Sequence, residues 1–268
     1  MRFAIPLRLS LGLALGLALA APALADGEQK ALKDVHFSFQ DPLGTYSRVD
    51  LQHGFQVYKE VCSACHSLNR VAFHALAQPG GPEFSEAQMK AIAGGYKIVA
   101  GPNDKGETTD DKGQPLMRAG VPSDYFPPPF PNEEAARSAN GGALPPDLSL
   151  IEKARAGGPN YVYSLMTGFH QTPPKGFVVT ANKYYNPYFI GWNISMPPPL
   201  ADGQVTFVDG SPNKIADEAY AVANFLAWTS EPHLEDRHRI GVGVMAFLIV
   251  LSGLLYLSYR KVWKDTAH

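Results

Sequence analysis

The sequence predicts a mainly α-helical protein, an exported head held on a single C-terminal membrane helix. Three observations carry this. The first residues have the layout of an export signal, residues 240–259 form an uncharged apolar run, and residues 50–61 and 215–230 repeat apolar side chains at helical spacing. Gly (25) and Pro (23) are numerous enough that long loops are expected between the helices.

Arg2 and Arg8 give a positive start, "LSLGLALGLALA" an apolar centre, and Ala23-Leu24-Ala25 a small-residue cleavage box. Residues 1–25 are thus expected to be removed, as in a bacterial exported protein, leaving a mature chain that begins at Asp26. The polar "DGEQK" that follows argues against a first membrane helix.

The run "IGVGVMAFLIVLSGLLYLSY" (240–259) carries no charge. Twenty helical residues span about 30 Å, the thickness of a bilayer core. Arg237 and Arg239 precede it, and Arg260, Lys261 and Lys264 follow; Tyr256, Tyr259 and Trp263 suit an interfacial belt. The expected organisation is a periplasmic head over 26–236, an anchor over 237–260 in the bacterial cytoplasmic membrane, and a cytoplasmic tail over 261–268. Residues 26–236 hold 24 of the 25 acidic side chains and 16 of the 23 basic ones, a net of −8, against −2 for the whole chain. Such a head either steers a cationic partner, with a salt-dependent rate, or is simply soluble.

Helix "DLQHGFQVYKEV" places Leu51, Phe55 and Tyr58 on one face. It leads into Cys62-Ser-Ala-Cys65-His66, which holds the only two cysteines of the chain. A structural zinc site needs about four ligands, and a second cysteine pair is missing. A thioredoxin-like redox pair belongs at a strand-to-helix junction, and here a helix comes first. A plain disulfide would leave His66 unexplained. C-x-x-C-H is the attachment signature of c-type haem: both thiols become thioethers and the next residue offers its imidazole to iron. Attachment outside the bacterial cytoplasm agrees with the export signal.

An electron carrier needs a second axial ligand. Met89, Met117, Met166, Met196, His74, His170 and His233 are the candidates downstream. Met196, in "GWNISMPPPLADG", is favoured because three prolines stiffen the chain after it. Met89 and Met166 fall in helical patterns and read as core, and Met117 falls in a polar loop. The helix "IADEAYAVANFLAWTS" follows, with Ala219, Val222, Ala223 and Leu226 on one stripe. Helix and C-x-x-C-H early, methionine loop and helix late, is the layout of a class I cytochrome c with large loop insertions.

The long stretch between contains a polar, Gly-rich surface excursion (101–115) and a segment in which prolines and glycines alternate with aromatics (121–169). Asp147 or Ser149 is expected to cap a helix through "LIEKARA", and Gly158-Pro159 to start the next. Arg137, Arg155 and Tyr161 are candidates for the haem propionates or for plain surface roles.

The strings "VCSACHSL", "RSANGGALPPDLSLI", "NYVYSLMTGF", "YYNPYF" and "ISMPPPL", with the anchor, resemble the cytochrome c1 family over essentially all of 30–265. This family supplies the haem subunit of the quinol–cytochrome c oxidoreductase (bc1) complex. The resemblance implies one covalently attached haem c, with Cys62 and Cys65 as thioether cysteines, His66 as proximal ligand and Met196 as distal ligand. It further implies that Arg155 and Tyr161 lie by a propionate and that Asn140, Pro145 and Pro146 lie along the haem. A cysteine pair that bridges a loop in some bacterial members is missing here.

The implied partners are cytochrome b, the Rieske iron–sulfur protein as donor, and a soluble cytochrome c or c2 as acceptor, in a homodimer of heterotrimers. The implied role is electron transfer without a catalytic site of its own. Glu107, Asp110, Asp111, Glu133, Glu134, Asp217 and Glu218 are candidate docking acids. The alternatives are an anchored monohaem cytochrome serving a terminal oxidase and, from another class, a haem sensor or peroxidase.

Overall fold

Helix α1 (Arg48–Glu60) and helix α5 (Ile215–Ser230) pack across one another and set the frame of the head. The computed structural model describes residues 29–265; the export signal expected at 1–25 and the tail residues 266–268 lie outside them. α1 begins at Ser47, whose hydroxyl accepts the Asp50 N–H at 3.3 Å. Leu51, Phe55 and Tyr58 are buried on one face, as their spacing predicts. α5 is buried along most of its length, including Ala219, Val222, Ala223 and Leu226.

Gly54 explains how closely the two helices approach. A Cβ there would stand 2.1 Å from the Ala221 carbonyl oxygen and 2.6 Å from Phe225 Cβ. Aromatic rings fill the space around the crossing. Phe55 meets Phe225 edge-on at 5.7 Å, Tyr58 meets Phe126 at 6.1 Å, and Phe73 lies 4.4 Å from Phe126. Such pairs add directional preference to a large burial of apolar surface.

Shorter elements hang on this frame. Helix α2 (Glu86–Gly94) carries a capping box, with Gln88 N donating to Ser85 Oγ and Ser85 N to Gln88 Oε1. Its Met89 is core, as expected. Helix α3 (Glu133–Ala139) starts at Asn132, whose Oδ1 accepts the Ala135 N–H at 2.8 Å. Helix α4 (Pro159–Met166) packs on α5 and begins as Gly158-Pro159 predicts, with Gly158 at φ +49° and Pro159 in the first turn.

One expectation needs correction. Residues 148–157 do not form a helix through "LIEKARA" but a run of tight turns. The side chains expected to cap that helix are engaged at a distant segment, as described below. Residues 101–115 are an exposed surface excursion, as expected, at the end of a short hairpin. Strands β1 (Lys97–Val99) and β2 (Met117–Ala119) pair antiparallel, with Ile98 opposite Arg118. Beyond them, Asn103 Oδ1 accepts the N–H of Lys105 and Glu107, and Asp110 Oδ1 accepts that of Lys112 and Gln114. These side-chain turns give a polar segment local order without a core. Met117 accordingly sits on an exposed strand.

Helix α6 (Leu234–Val262) includes the apolar run, with mean hydropathy 2.4 over its most apolar window and none of that window buried. It begins earlier than the run, so the neck between head and span, 234–239, is helical, after a break over 231–233 that separates it from α5. The head grips it there. Arg48 donates from Nη1 and Nη2 to the two Glu235 oxygens, each at 2.8 Å, and from Nε to Glu83 at 2.8 Å. Tyr46 N–H also donates to Glu235, at 2.9 Å, and the Tyr46 hydroxyl to the Glu231 carbonyl at 3.1 Å. Glu231 in turn pairs with Lys153 and Arg237. Bidentate arginine–carboxylate geometry of this kind is among the strongest polar contacts available.

Candidate functional site

The site is built where α1 ends. A single 3-10 turn (Cys62–Ala64) follows it, and both Cys65 N–H and His66 N–H donate to the Cys62 carbonyl, at 3.1 and 2.9 Å. The turn brings two thiols and an imidazole into one short arc. Cys62 packs against the core and Cys65 is exposed. Burial pushes the Cys62 thiol up to about 12, with the neighbouring Cys65 adding to the rise. Among the described residues no group of three or more His, Cys, Asp and Glu side chains is placed to hold a metal ion.

His66 is oriented from two sides. Its Nδ1 lies 2.8 Å from the Pro146 carbonyl oxygen. A carbonyl only accepts, so Nδ1 carries the proton and Nε2 keeps its lone pair. Burial lowers the imidazole pKa, against a smaller rise from the bond to Pro146 and from Asp147. The His66 carbonyl accepts the Tyr58 hydroxyl at 3.1 Å.

A set of bonds then fastens residues 67–70 to 147–149. Ser67 Oγ and Asn69 N–H donate to Asp147 Oδ2 at 2.6 and 2.9 Å, and Ser149 N–H donates to Asp147 Oδ1 at 2.9 Å. Leu148 N–H donates to the Ser67 carbonyl at 2.9 Å, and Arg70 N–H to Ser149 Oγ at 3.2 Å. Asp147 is the residue that sequence reasoning assigned to the wrong job. Local patterns mark it as a helix cap, yet it joins two segments far apart in the chain. Burial alone would raise its pKa, but these donors hold it below the ordinary carboxylate range.

Met196 follows a two-stranded ladder, β3 (Tyr184–Tyr185) against β4 (Asn193–Ile194), and is half-buried. Lys183 Nζ reaches the adjacent Ser195 Oγ at 2.5 Å. On the far side of the three prolines Leu200 is buried, Asp202 Oδ1 accepts the Ile215 N–H at 2.8 Å, and Glu218 Oε1 accepts the Val205 N–H at 2.9 Å. The methionine is therefore carried by a segment tied down at both ends. Glu218 is fully buried in this role, which removes it from the candidate docking acids. The acids Glu107, Asp110, Asp111, Glu133 and Glu134 are exposed, and Asp217 is half-buried, accepting the Lys214 N–H at 3.1 Å.

The remaining candidates divide. Burial raises the Tyr161 pKa, and the positive charge of Arg155 nearby pulls it back. The structure thus brings Arg155 and Tyr161 together. Asn140 ends α3, donating from Nδ2 to the Ala136 carbonyl at 2.7 Å, and Arg137 donates to the Gly142 carbonyl at 3.3 Å. Pro145 precedes the residue that orients His66. His74, His170 and His233 are exposed, and Met166 packs against the core.

The donor set fits a c-type haem: two thiols for thioether bonds, one imidazole nitrogen free for iron, and a thioether sulfur on a fastened loop. The comparisons agree. Residues 37–266 match the Cytochrome C1 family. The "Cytochrome b/c1" of Bradyrhizobium diazoefficiens is 48% identical over 248 residues, 86% of this chain. This chain spans only 35% of that relative's length. "Cytochrome c1" of Rhodospirillum rubrum is 42% identical over 247 residues, 87% of each chain. "Cytochrome c1, heme protein, mitochondrial" of Kluyveromyces lactis is 44% identical over 227 residues, 85% of this chain and 72% of the relative.

Proposed function

This chain belongs to the cytochrome c1 family, and on that premise we propose that it passes electrons within a bc1 complex from a Rieske iron–sulfur protein to a soluble c-type cytochrome. Family members carry one covalent haem c. Cys62 and Cys65 would hold it by thioether bonds, and His66 Nε2 and Met196 would ligate its iron. When bound, the group would supply one-electron redox chemistry.

The chain's own residues supply the rest. The observation that carries this reading is the His66–Pro146 bond, which fixes the tautomer a ligand needs. Asp147 keeps that pair in register by fastening both segments. With His66 and Met196 both available to a bound haem, the reading favours an electron carrier with no catalytic site of its own over an oxygen-binding sensor or a peroxidase. Arg155 and Tyr161 together offer donors to a propionate. The anchored helix, 237–260, lies against cytochrome b, with the head in the periplasm and the C-terminus in the cytoplasm. The complex is a homodimer of heterotrimers.

The test is a reduced-minus-oxidised spectrum of the purified membrane complex, paired with a haem stain after denaturation. The expected result is b- and c-type haem travelling together, with the stain on this chain. Isolation of the chain without a b-type cytochrome and a Rieske protein would sink the bc1 reading. Normal staining of Cys65→Ser would sink the attachment assignment.

A further inference from the structure

We propose that Asn186 is the positioning residue for the distal ligand Met196, because it docks the hairpin that leads to Met196 onto the end of α4. Met196 comes two residues after β4, so its place depends on where the β3–β4 hairpin sits. Tyr184 lies opposite Ile194 and Tyr185 opposite Asn193. Asn186 then closes the hairpin, donating its N–H to the Trp192 carbonyl at 3.0 Å. Its side chain is fully buried and faces two ways. Nδ2 donates to the Leu165 carbonyl at 2.8 Å, and Oδ1 accepts the Tyr188 N–H at 3.1 Å. Leu165 lies in the last turn of α4, where carbonyls lack the usual helical partner. α4 packs on α5, α5 crosses α1, and α1 ends at the cysteine turn. Asn186 is where the methionine segment joins this frame.

The join is close. A Cβ on Gly168 would stand 2.6 Å from Asn186 Oδ1 and 2.7 Å from Tyr188 Cδ2. Residues 29–33 lie across it: Lys30 N–H donates to the Pro187 carbonyl and Lys33 N–H to Ser164 Oγ, both at 2.9 Å. The place demands an amide, which donates and accepts at once. An ionised aspartate has no proton for the Leu165 carbonyl. A leucine of similar size takes that donor away and leaves the buried Tyr188 N–H unpaired. Satisfied buried polar contacts fix one arrangement where apolar packing tolerates several. A segment that presents a sulfur to iron needs one arrangement.

The inference rests on Met196 as distal ligand, and the experiment separates the two. The membrane complex is purified with Asn186→Leu and, as a control for general loosening, with Arg48→Gln, which breaks the neck contact at the other end of α1. Both should keep normal haem staining after denaturation. Arg48→Gln should keep the weak far-red charge-transfer band of sulfur-ligated ferric haem. In Asn186→Leu the equilibrium between bound and free Met196 should move toward free by about tenfold for each side-chain bond lost. That shift reads as a weakened band, a lower midpoint potential and carbon monoxide binding to the reduced c-type haem. A wild-type band and potential in Asn186→Leu, or the same loss in both variants, overturns the proposal. If Asn186→Leu fails to assemble, hydrogen exchange of the wild-type complex decides. The Tyr188 amide should exchange as slowly as those of α4; exchange as fast as in residues 101–115 overturns the proposal. A wild-type band in Met196→Leu would instead overturn the ligand assignment itself.

Discussion

The Nδ1 of His66 and the carbonyl oxygen of Pro146 lie 2.8 Å apart, which joins the cysteine motif to a segment far along the chain. The bond is not held by those two residues alone. Asp147, next to Pro146, takes hydrogen bonds from Ser67, Asn69 and Ser149.

Asp147→Ala removes the acceptor for all three donors. It should destabilise the head by about 1–3 kcal/mol, the usual cost of leaving donors to a charged group unpaired. Urea unfolding of the solubilised, haem-loaded chain measures this. Asp147→Asn, which retains one acceptor oxygen, should fall between the wild type and alanine; a wild-type midpoint in both variants would remove Asp147 from its structural role.

Gly54→Ala places a methyl group 2.1 Å from the Ala221 oxygen. Overpacking of this kind costs about 1–3 kcal/mol. Gly94→Ala, with nothing within 4 Å of the new atom, is the control. It should be neutral or stabilising, because alanine favours a helix over glycine by about 1 kcal/mol. Equal thermal midpoints for the two variants would mean that the crossing relaxes at no cost.

Met196→Leu should leave the haem attached after denaturation but lower its midpoint potential sharply, since a thioether opposite histidine raises the potential. Redox titration of the membrane complex reads the change. An unchanged potential would assign the distal position to another residue.

Glu152 is buried, and its Oε1 has no hydrogen-bond partner. Burial raises its pKa well above the ordinary carboxylate range. The folded chain therefore keeps a proton that the unfolded chain gives up. Its contribution to stability is complete below the ordinary glutamate pKa and declines as pH rises toward the folded value. Glu152→Gln should remove that slope and be the more stable form at neutral pH. Unfolding free energies measured across acid to neutral pH test this; identical slopes in both proteins would show that the carboxyl ionises freely.

Electron transfer to a basic acceptor should slow as ionic strength rises, because the head carries a net −8 over residues 26–236. Stopped-flow rates at increasing salt are the measurement. A flat profile would reduce the exposed acids, Glu133 and Glu134 among them, to solubility.

Hydropathy and periodicity made the anchor, α1 and α5 legible, because each is a property of one continuous segment. Gly158-Pro159 marked the start of α4 for the same reason. The cysteine motif was legible as a motif because it occupies five adjacent residues. What sequence could not show depends on distant partners. Asp147 and Ser149 obey a local capping rule, but their acceptors meet residues 67–70 only after the chain has folded back. Arg48 and Glu235 look like surface charges until the neck brings them together. Glu218 falls in an acidic first turn, where exposure is the normal expectation, yet the loop after Met196 closes over it. The 97–119 hairpin was missed because its strands are three residues each and its order comes from side-chain turns.

The grip of Arg48 and Tyr46 on Glu235 has a mechanical consequence. A head fastened to the first turn of its anchor helix by three hydrogen bonds resists tilting relative to that helix. In the bc1 reading the head is then a stator, and the changes of distance that gate the electron fall to the proteins that visit it.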